Sequence, residues 1–358
     1  MANENAENAA NAATLGLGFH KFDGNINVKD VIHEIGADFT VREDKLVRLP
    51  QDLLEKVLNN EPVTIPANYV IKTHKATVHD GFDDTIGIVG NDYGTIQNNA
   101  AFDLLDLMCN ASVTDTPLKI VSAGLVNNYD PYIQAELPFN ARVDGDVSDT
   151  KFYVFAHTSH DGTSALQLRF SPVRVICRNT YLANISSKLG LNFKHSKNAA
   201  QRVDLTKEAN IQKIREGVGR LNFFAKDYIE QMNAYRLAKV TDKDVNEYIT
   251  NLFIDKDEMK ELIRANNYNF DIEEISTRTK NIIASFKNTL NSDAMGQDFA
   301  RGTRLWLFNG TTNYLSNTAS YGNYYTEDFE TRASKRFNSM LNGTANKRMK
   351  KAFELLAM

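Results

Sequence analysis

Residues 151–174 read KFYVFAHTSHDGTSALQLRFSPVR, and this stretch decides the fold. Residues 151–157 and 165–170 are two runs rich in aromatic and apolar side chains. Between them Ser159-His160-Asp161-Gly162 carries Asp-Gly, whose backbone freedom favours a tight reversal. The pattern predicts an antiparallel hairpin. Just upstream, residues 119–126 and 132–137 flank Asn127-Asn128-Tyr129-Asp130-Pro131, a second hairpin with a loop too long for a two-residue turn.

On the N-terminal side, residues 98–108 place Ala101, Leu104, Leu105 and Met108 at helical spacing. Residues 69–78 and 85–90 read as strands, and the polar Asn91-Asp92-Tyr93-Gly94 as a turn. Residues 28–35 and 51–58 read as short helices, with alternating strand sequence at 38–48. On the C-terminal side, residues 172–177 continue as an extended apolar stretch and 179–189 read as helical. Beyond Thr206 the period becomes 3.6: Ile211, Ile214, Val218, Leu221, Ala225, Tyr228, Met232 and Tyr235 mark one long amphipathic helix. Thr241 with Asp244 three residues on resembles a capping box. Helices follow near 257–265, 272–286, 298–315 and 332–356, the last with a basic exposed side. The expected class is α+β: an antiparallel sheet of two hairpins flanked by helices, then a mainly helical C-terminal region. The expected division is a disordered Asn/Ala/Glu-rich segment 1–18, a small subdomain 19–66, a β core 67–205 and a helical region 206–358.

With 42% hydrophobic and 24% charged residues, the 358-residue chain has the composition of an ordinary globular protein. No apolar run approaches the roughly 20 residues of a membrane span, so no membrane partner is expected. The acidic N-terminus has no apolar stretch and is not read as a secretory signal. Cys109 and Cys177 lie too far apart for metal-ligand spacing, and two reduced thiols point to a cytoplasmic protein. The net charge of -4 hides segregation: 1–168 carries 24 acids against 11 bases, whereas 169–236 carries 13 bases against 5 acids. A basic block in an acidic chain can still attract a polyanion, because binding responds to the local field.

Gly-x4-Gly-Lys-Ser/Thr, Gly-x-Gly-x-x-Gly, Gly-x-Ser-x-Gly and His-Glu-x-x-His are all absent from the sequence. No nucleotide or other cofactor is therefore expected. His74, His79, Asp80, Asp83 and Asp84 fall close together, but loop chemistry explains the acids better than a metal site, and none is assigned. The same holds for His157, His160 and Asp161, so no catalytic residue is named and the balance leans away from an enzyme. Arg169 and Arg174 stand in apolar strand sequence. Such an arginine must pair with a carboxylate, reach solvent or meet a ligand, because an unpaired buried charge is expensive.

Several ordered motifs carry a resemblance. Gly87-Ile88-Val89-Gly90 with Tyr93-Gly94-Thr95-Ile96-Gln97-Asn98-Asn99 comes first, then Ser159-His160-Asp161-Gly162-Thr163 and residues 170–180. Phe193-Lys194-His195-Ser196 and residues 302–314 complete the set. Together they resemble a phage/plasmid-like family known as domain of unknown function 932, over roughly residues 86–316. The resemblance implies a mobile-element setting and brings no established activity. Asn313 stands where the family pattern is expected to hold an acid.

Three functions stay open on the sequence. The first is an accessory that binds or anneals single-stranded DNA without ATP, with Arg169, Arg174, Arg178, Asn179, Lys194 and His195 contacting the nucleic acid. Its order of helix, hairpins and helix is similar to the core of annealing recombinases, which is fold-level analogy. The second is an interaction or inhibitor module of a mobile element, whose acidic half docks on a host or phage protein. The third is a metal-dependent nuclease built on the acids near Asp80 and Asp161. Homo-oligomerisation is open in each.

Overall fold

The computed structural model describes residues 20–22, 26–110, 118–126, 128–174, 179–180, 192–292 and 298–357. The N-terminal segment expected to be disordered, Cys177, Arg178 and the helix expected beyond Asn179-Thr180 lie outside these residues.

Along the chain the elements are β1 (His20–Lys21), α1 (Val28–Glu34), β2 (Val41–Val47), α2 (Gln51–Leu58), β3 (Val70–His79), β4 (Asp84–Gly90) and α3 (Asn98–Asn110). The central strands are β5 (Lys119–Val126), β6 (Asp130–Ala141), β7 (Thr150–His157) and β8 (Leu166–Arg174). Two short strands follow, β9 (Asn179–Thr180) and β10 (Asn192–Phe193), then the single turn α4 (Ala199–Arg202). The helical part comprises α5 (Glu208–Leu237), α6 (Asp242–Phe253), α7 (Asp257–Ala265), α8 (Thr277–Leu290), α9 (Arg304–Asn313), α10 (Phe329–Leu341) and α11 (Thr344–Ala357).

The two expected hairpins join into one antiparallel meander, β5-β6-β7-β8. β1 extends it beside β5, while β9 and β10 both pair with β8. A second sheet, β2-β3-β4, forms separately from the acidic N-terminal sequence. The class is therefore α+β with a helical C-terminal region.

Because successive strand residues point to opposite faces, β7 serves two cores. Phe152, Val154 and Ala156 join Ile133, Ala135, Leu168 and Phe170 against α1, α3 and the first half of α5. Phe155 and Tyr132 face the C-terminal helices instead, with Phe337 of α10 packed on both. Each such buried aromatic contributes about 1.5–3 kcal/mol over exposure. α5, about 45 Å long at 1.5 Å per residue, belongs to both cores. Its Ile214, Leu221 and Ala225 lie in the first and its Met232 and Tyr235 in the second.

The Thr241 capping box is present, with Thr241 Oγ1 accepting from the Asp244 amide at 3.2 Å. Three helix boundaries differ from expectation. The segment 298–315 opens as a 3-10 turn, and α9 starts only after Gly302 and the cap Thr303. Helix α8 begins at Thr277, where Ser276 supplies the cap, rather than at 272. The single helix expected at 332–356 is two, α10 and α11, broken at Asn342-Gly343. In the fourth case, Asn179 and Thr180, expected to open a helix, pair as strand with Arg174 and Val173.

Candidate functional site

The turn between β7 and β8 is where distant motifs meet. Thr77 of β3 donates to the His160 carbonyl at 2.7 Å, and the Tyr93 hydroxyl donates to the Ser159 carbonyl at 3.2 Å. His160 Nε2 lies 2.7 Å from Asn98 Oδ1 at the start of α3, and Asn98 Nδ2 donates to the Ala37 carbonyl at 2.9 Å. An amide oxygen only accepts, so His160 carries its proton on Nε2. His195 accepts from the Ile96 amide at Nδ1 (3.4 Å), which leaves Nε2 to donate to Thr158 Oγ1 (3.2 Å). Its ring stacks on Tyr93, with centroids 4.9 Å apart and planes 8° off parallel. Two glycines permit this approach. A Cβ on Gly87 would lie 2.5 Å from Asp161 Cα, and one on Gly94 would overlap the Ser196 carbonyl. The motifs around 87–98, 159–163 and 193–196 thus form one packed unit.

Burial pushes the His157 and His160 imidazoles down to about 3 and His195 to about 4, so all three are neutral at pH 7. For His157 the nearby Arg169 charge adds to the effect. Burial raises the Asp161 carboxyl, but hydrogen bonds from Ser159 and from the Thr163 hydroxyl and amide outweigh it and hold it below the usual range. The turn that chain chemistry alone would leave in water holds a histidine with no solvent exposure.

Beside this unit lies Arg169, 2% exposed. Its Nε and Nη2 donate to Gln167 Oε1 at 2.7 and 2.5 Å, and Nη2 donates to Asn342 Oδ1 at 2.7 Å. No ion pair engages it among the described residues, and burial pushes it down to about 10. Of the other residues singled out from sequence, His195 is half-buried in the motif unit and Lys194 is exposed on the chain just before it. Arg174 ends β8, paired with Thr150 and Asn179, about 17 Å along the strand from Arg169 at 3.4 Å per residue.

A basic outer surface adjoins Lys194. Arg202 Nη2 donates to the Lys194 carbonyl at 3.1 Å and to the Ser196 hydroxyl, and Lys213 of α5 sits over the Phe193 ring at 5.6 Å. Farther along α5, Arg220, Phe223 and Lys226 recur every third residue, which aligns them on one side of the helix. Phe223 is 68% exposed. Elsewhere in the block, Lys207 pairs with Asp204 and Arg215 with Glu208. Among the described residues no ion pair engages Lys194, Lys197, Lys213 or Lys226.

Three acids of the N-terminal half gather on one guanidinium rather than on a metal site. Arg42 pairs with Asp44, Asp80 and Asp83, and Tyr129 donates to Asp84 at 2.7 Å. His79 is buried between Phe39 and Phe82. Among the described residues no group of three or more His, Cys, Asp or Glu is placed to hold a metal ion. Nor is any helix there long and apolar enough to cross a membrane.

Sequence reading assigned no site role to Asn98, Gln134, Tyr153, Ser171 or Asn342. The signal for two of them, Gln134 and Ser171, was present as polar alternation: Gln134 and Glu136 in β6, and Gln167, Arg169 and Ser171 in β8. Such a row inside an apolar sheet marks a polar face.

A family model described as Domain of unknown function (DUF932) matches residues 85–349. The chain belongs to that family. Comparison with curated proteins and with solved structures finds no match. The match encloses the motif unit, the basic stretch of α5 and most of the helical region.

Proposed function

For this member of the DUF932 family, we propose that the protein binds single-stranded nucleic acid without ATP, as an accessory of a mobile element. The observation that carries the reading is the exposed Phe223 between Arg220 and Lys226, continued by Lys213, Lys194 and Lys197. A groove that follows a single strand needs cations for phosphates and an aromatic face on which a base stacks, worth about 1–3 kcal/mol per base. From Lys213 to Lys226 the helix supplies about 20 Å of such surface at 1.5 Å per residue. Arg169 at 2% exposure does not belong to this surface, and His195 supports it by fixing the chain beneath Lys194.

Fluorescence anisotropy with labelled single- and double-stranded oligonucleotides tests the proposal. The expected result is single-strand binding that weakens as salt rises, with Phe223→Ala reducing affinity about 5- to 150-fold, the equivalent of one lost stack. Equal affinity of wild type and Phe223→Ala/Lys226→Ala at matched salt refutes it. A second reading, docking on a host or phage protein, draws on the exposed Ile71, Phe82 and Ile88 of the small sheet. Pull-down that is abolished by Ile88→Asp, with oligonucleotide binding absent, would favour it instead.

A further inference from the structure

The face of the large sheet that meets the C-terminal helices carries more hydrogen-bonding groups than the protein satisfies. Strand register lays them out in rows. Tyr132, His157 and Gln167 stand side by side across β6, β7 and β8. Gln134, Phe155 and Arg169 form the next row, and Glu136, Tyr153 and Ser171 the third. Six buried atoms in these rows have no partner: Tyr132 Oη, Gln134 Nε2, Tyr153 Oη, His157 Nδ1, Arg169 Nη1 and Ser171 Oγ.

An isolated unsatisfied polar atom costs about 1–3 kcal/mol, and native proteins hold few of them. Six on one face of three adjacent strands is a pattern rather than scatter. Their chemistry is uniform. The guanidinium Nη1 donates only, as does an amide nitrogen, and the phenol and serine hydroxyls and a neutral imidazole can each donate. Ser122 donates to Gln134 Oε1 at 2.8 Å, so the amide nitrogen is the half of that side chain without a partner. At the centre is a guanidinium with no carboxylate, although a planar, five-donor cation is the side chain best matched to an oxyanion. Glu136, the acid of the third row, is already held by Lys151 at 2.8 Å.

We propose that this face binds a small oxyanion, a phosphate or carboxylate group, on Arg169, Tyr153, Ser171 and Gln134. A polymer backbone is not the ligand, because Phe337 covers Tyr132, Phe155 and His157, and Asn342 caps Arg169. Three strands at about 4.8 Å spacing and three rows at about 6.8 Å give a face of roughly 10 by 14 Å. The break between α10 and α11 at Asn342-Gly343 is the natural entrance, since Asn342 links the guanidinium to the helix end and donates to Ser164 Oγ at 3.3 Å.

Two measurements test the site, both independent of nucleic-acid binding. Protein purified in chloride buffer is denatured, and the released anions are quantified by ion chromatography, with phosphorus NMR separating phosphates from carboxylates. Thermal unfolding is then compared in chloride, inorganic phosphate and acetate at matched ionic strength. The expected result is an equimolar released oxyanion, or a melting temperature several degrees higher in phosphate or acetate than in chloride. Arg169→Met should abolish either effect. Tyr153→Phe and Ser171→Ala, which preserve the packing and each remove a donor, should diminish it even if Arg169→Met does not fold. No released anion together with equal melting temperatures of wild type in all three salts overturns the proposal.

Discussion

Acid should unfold this protein early, and three histidines with depressed pKa values set the scale. His157, His160 and His195 have ordinary imidazole pKa values of 6.5 when unfolded and about 3, 3 and 4 when folded. The unfolded chain therefore takes up these protons first, and falling pH favours it. The stability is complete above the unfolded value of 6.5 and is lost progressively toward the folded values. At about pH 5 each ring is some 1.5 units below its unfolded pKa, which costs ~2 kcal/mol at about 1.36 kcal/mol per unit. Three rings together cost about 6 kcal/mol, comparable with the whole stability of a typical domain, about 5–15 kcal/mol. Urea unfolding followed by far-ultraviolet circular dichroism, with the sole tryptophan Trp306 as a fluorescence probe, measures this directly. Between about pH 6.5 and pH 5 the unfolding free energy should fall with a slope approaching three protons. His160→Gln, which retains a donor for Asn98, should lower that slope by one proton, about 1.4 kcal/mol per pH unit. A wild-type stability that stays level from about pH 7 to pH 5 would refute the reasoning.

Other perturbations follow from single contacts. Gly94→Ala drives a Cβ into the Ser196 carbonyl, where backbone cannot yield cheaply, and should lower stability by several kcal/mol, in the range of about 1–3 or more for overpacking. Differential scanning calorimetry of that variant beside Gly90→Ala, where a Cβ meets nothing within 4 Å, isolates the effect. Asn342→Ala removes a hydrogen bond to a buried guanidinium and should cost about 1–3 kcal/mol in urea titration. Thr241→Ala deletes the capping box of α6 and should cost about 1 kcal/mol, seen as a lower urea midpoint with an unchanged slope.

Local signals carried most of the fold. The 3.6 period of α5, the capping box at Thr241 and the Asp-Gly reversal at Asp161-Gly162 each depend on residues within a few positions of one another. What escaped was set by distant contacts. Nothing near 41–90 shows which strands share a sheet, because β2 pairs with β3 across the intervening α2. The end of α10 escaped for the same reason. Asn342 leaves the helix to reach Arg169, and a Cβ on Gly343 would lie 2.8 Å from Ser339 Cα. Arg169 was legible as a charge in need of a partner, whereas its neutral amide partners lie two positions away on β8 and far along the chain. The exposed Phe223 could not be separated from core aromatics by type alone.

The Arg169–Asn342 hydrogen bond joins residues 173 positions apart. A chain made from its N-terminus at about 5–20 residues per second leaves the sheet face uncovered for roughly 9–35 seconds before Asn342 emerges. During that time the polar rows are an advantage: Gln134, Tyr153, Arg169 and Ser171 keep the unfinished sheet hydrated, where an apolar face would seek another chain. The same groups that need a ligand when α10 has closed over them protect the nascent sheet from aggregation while it waits.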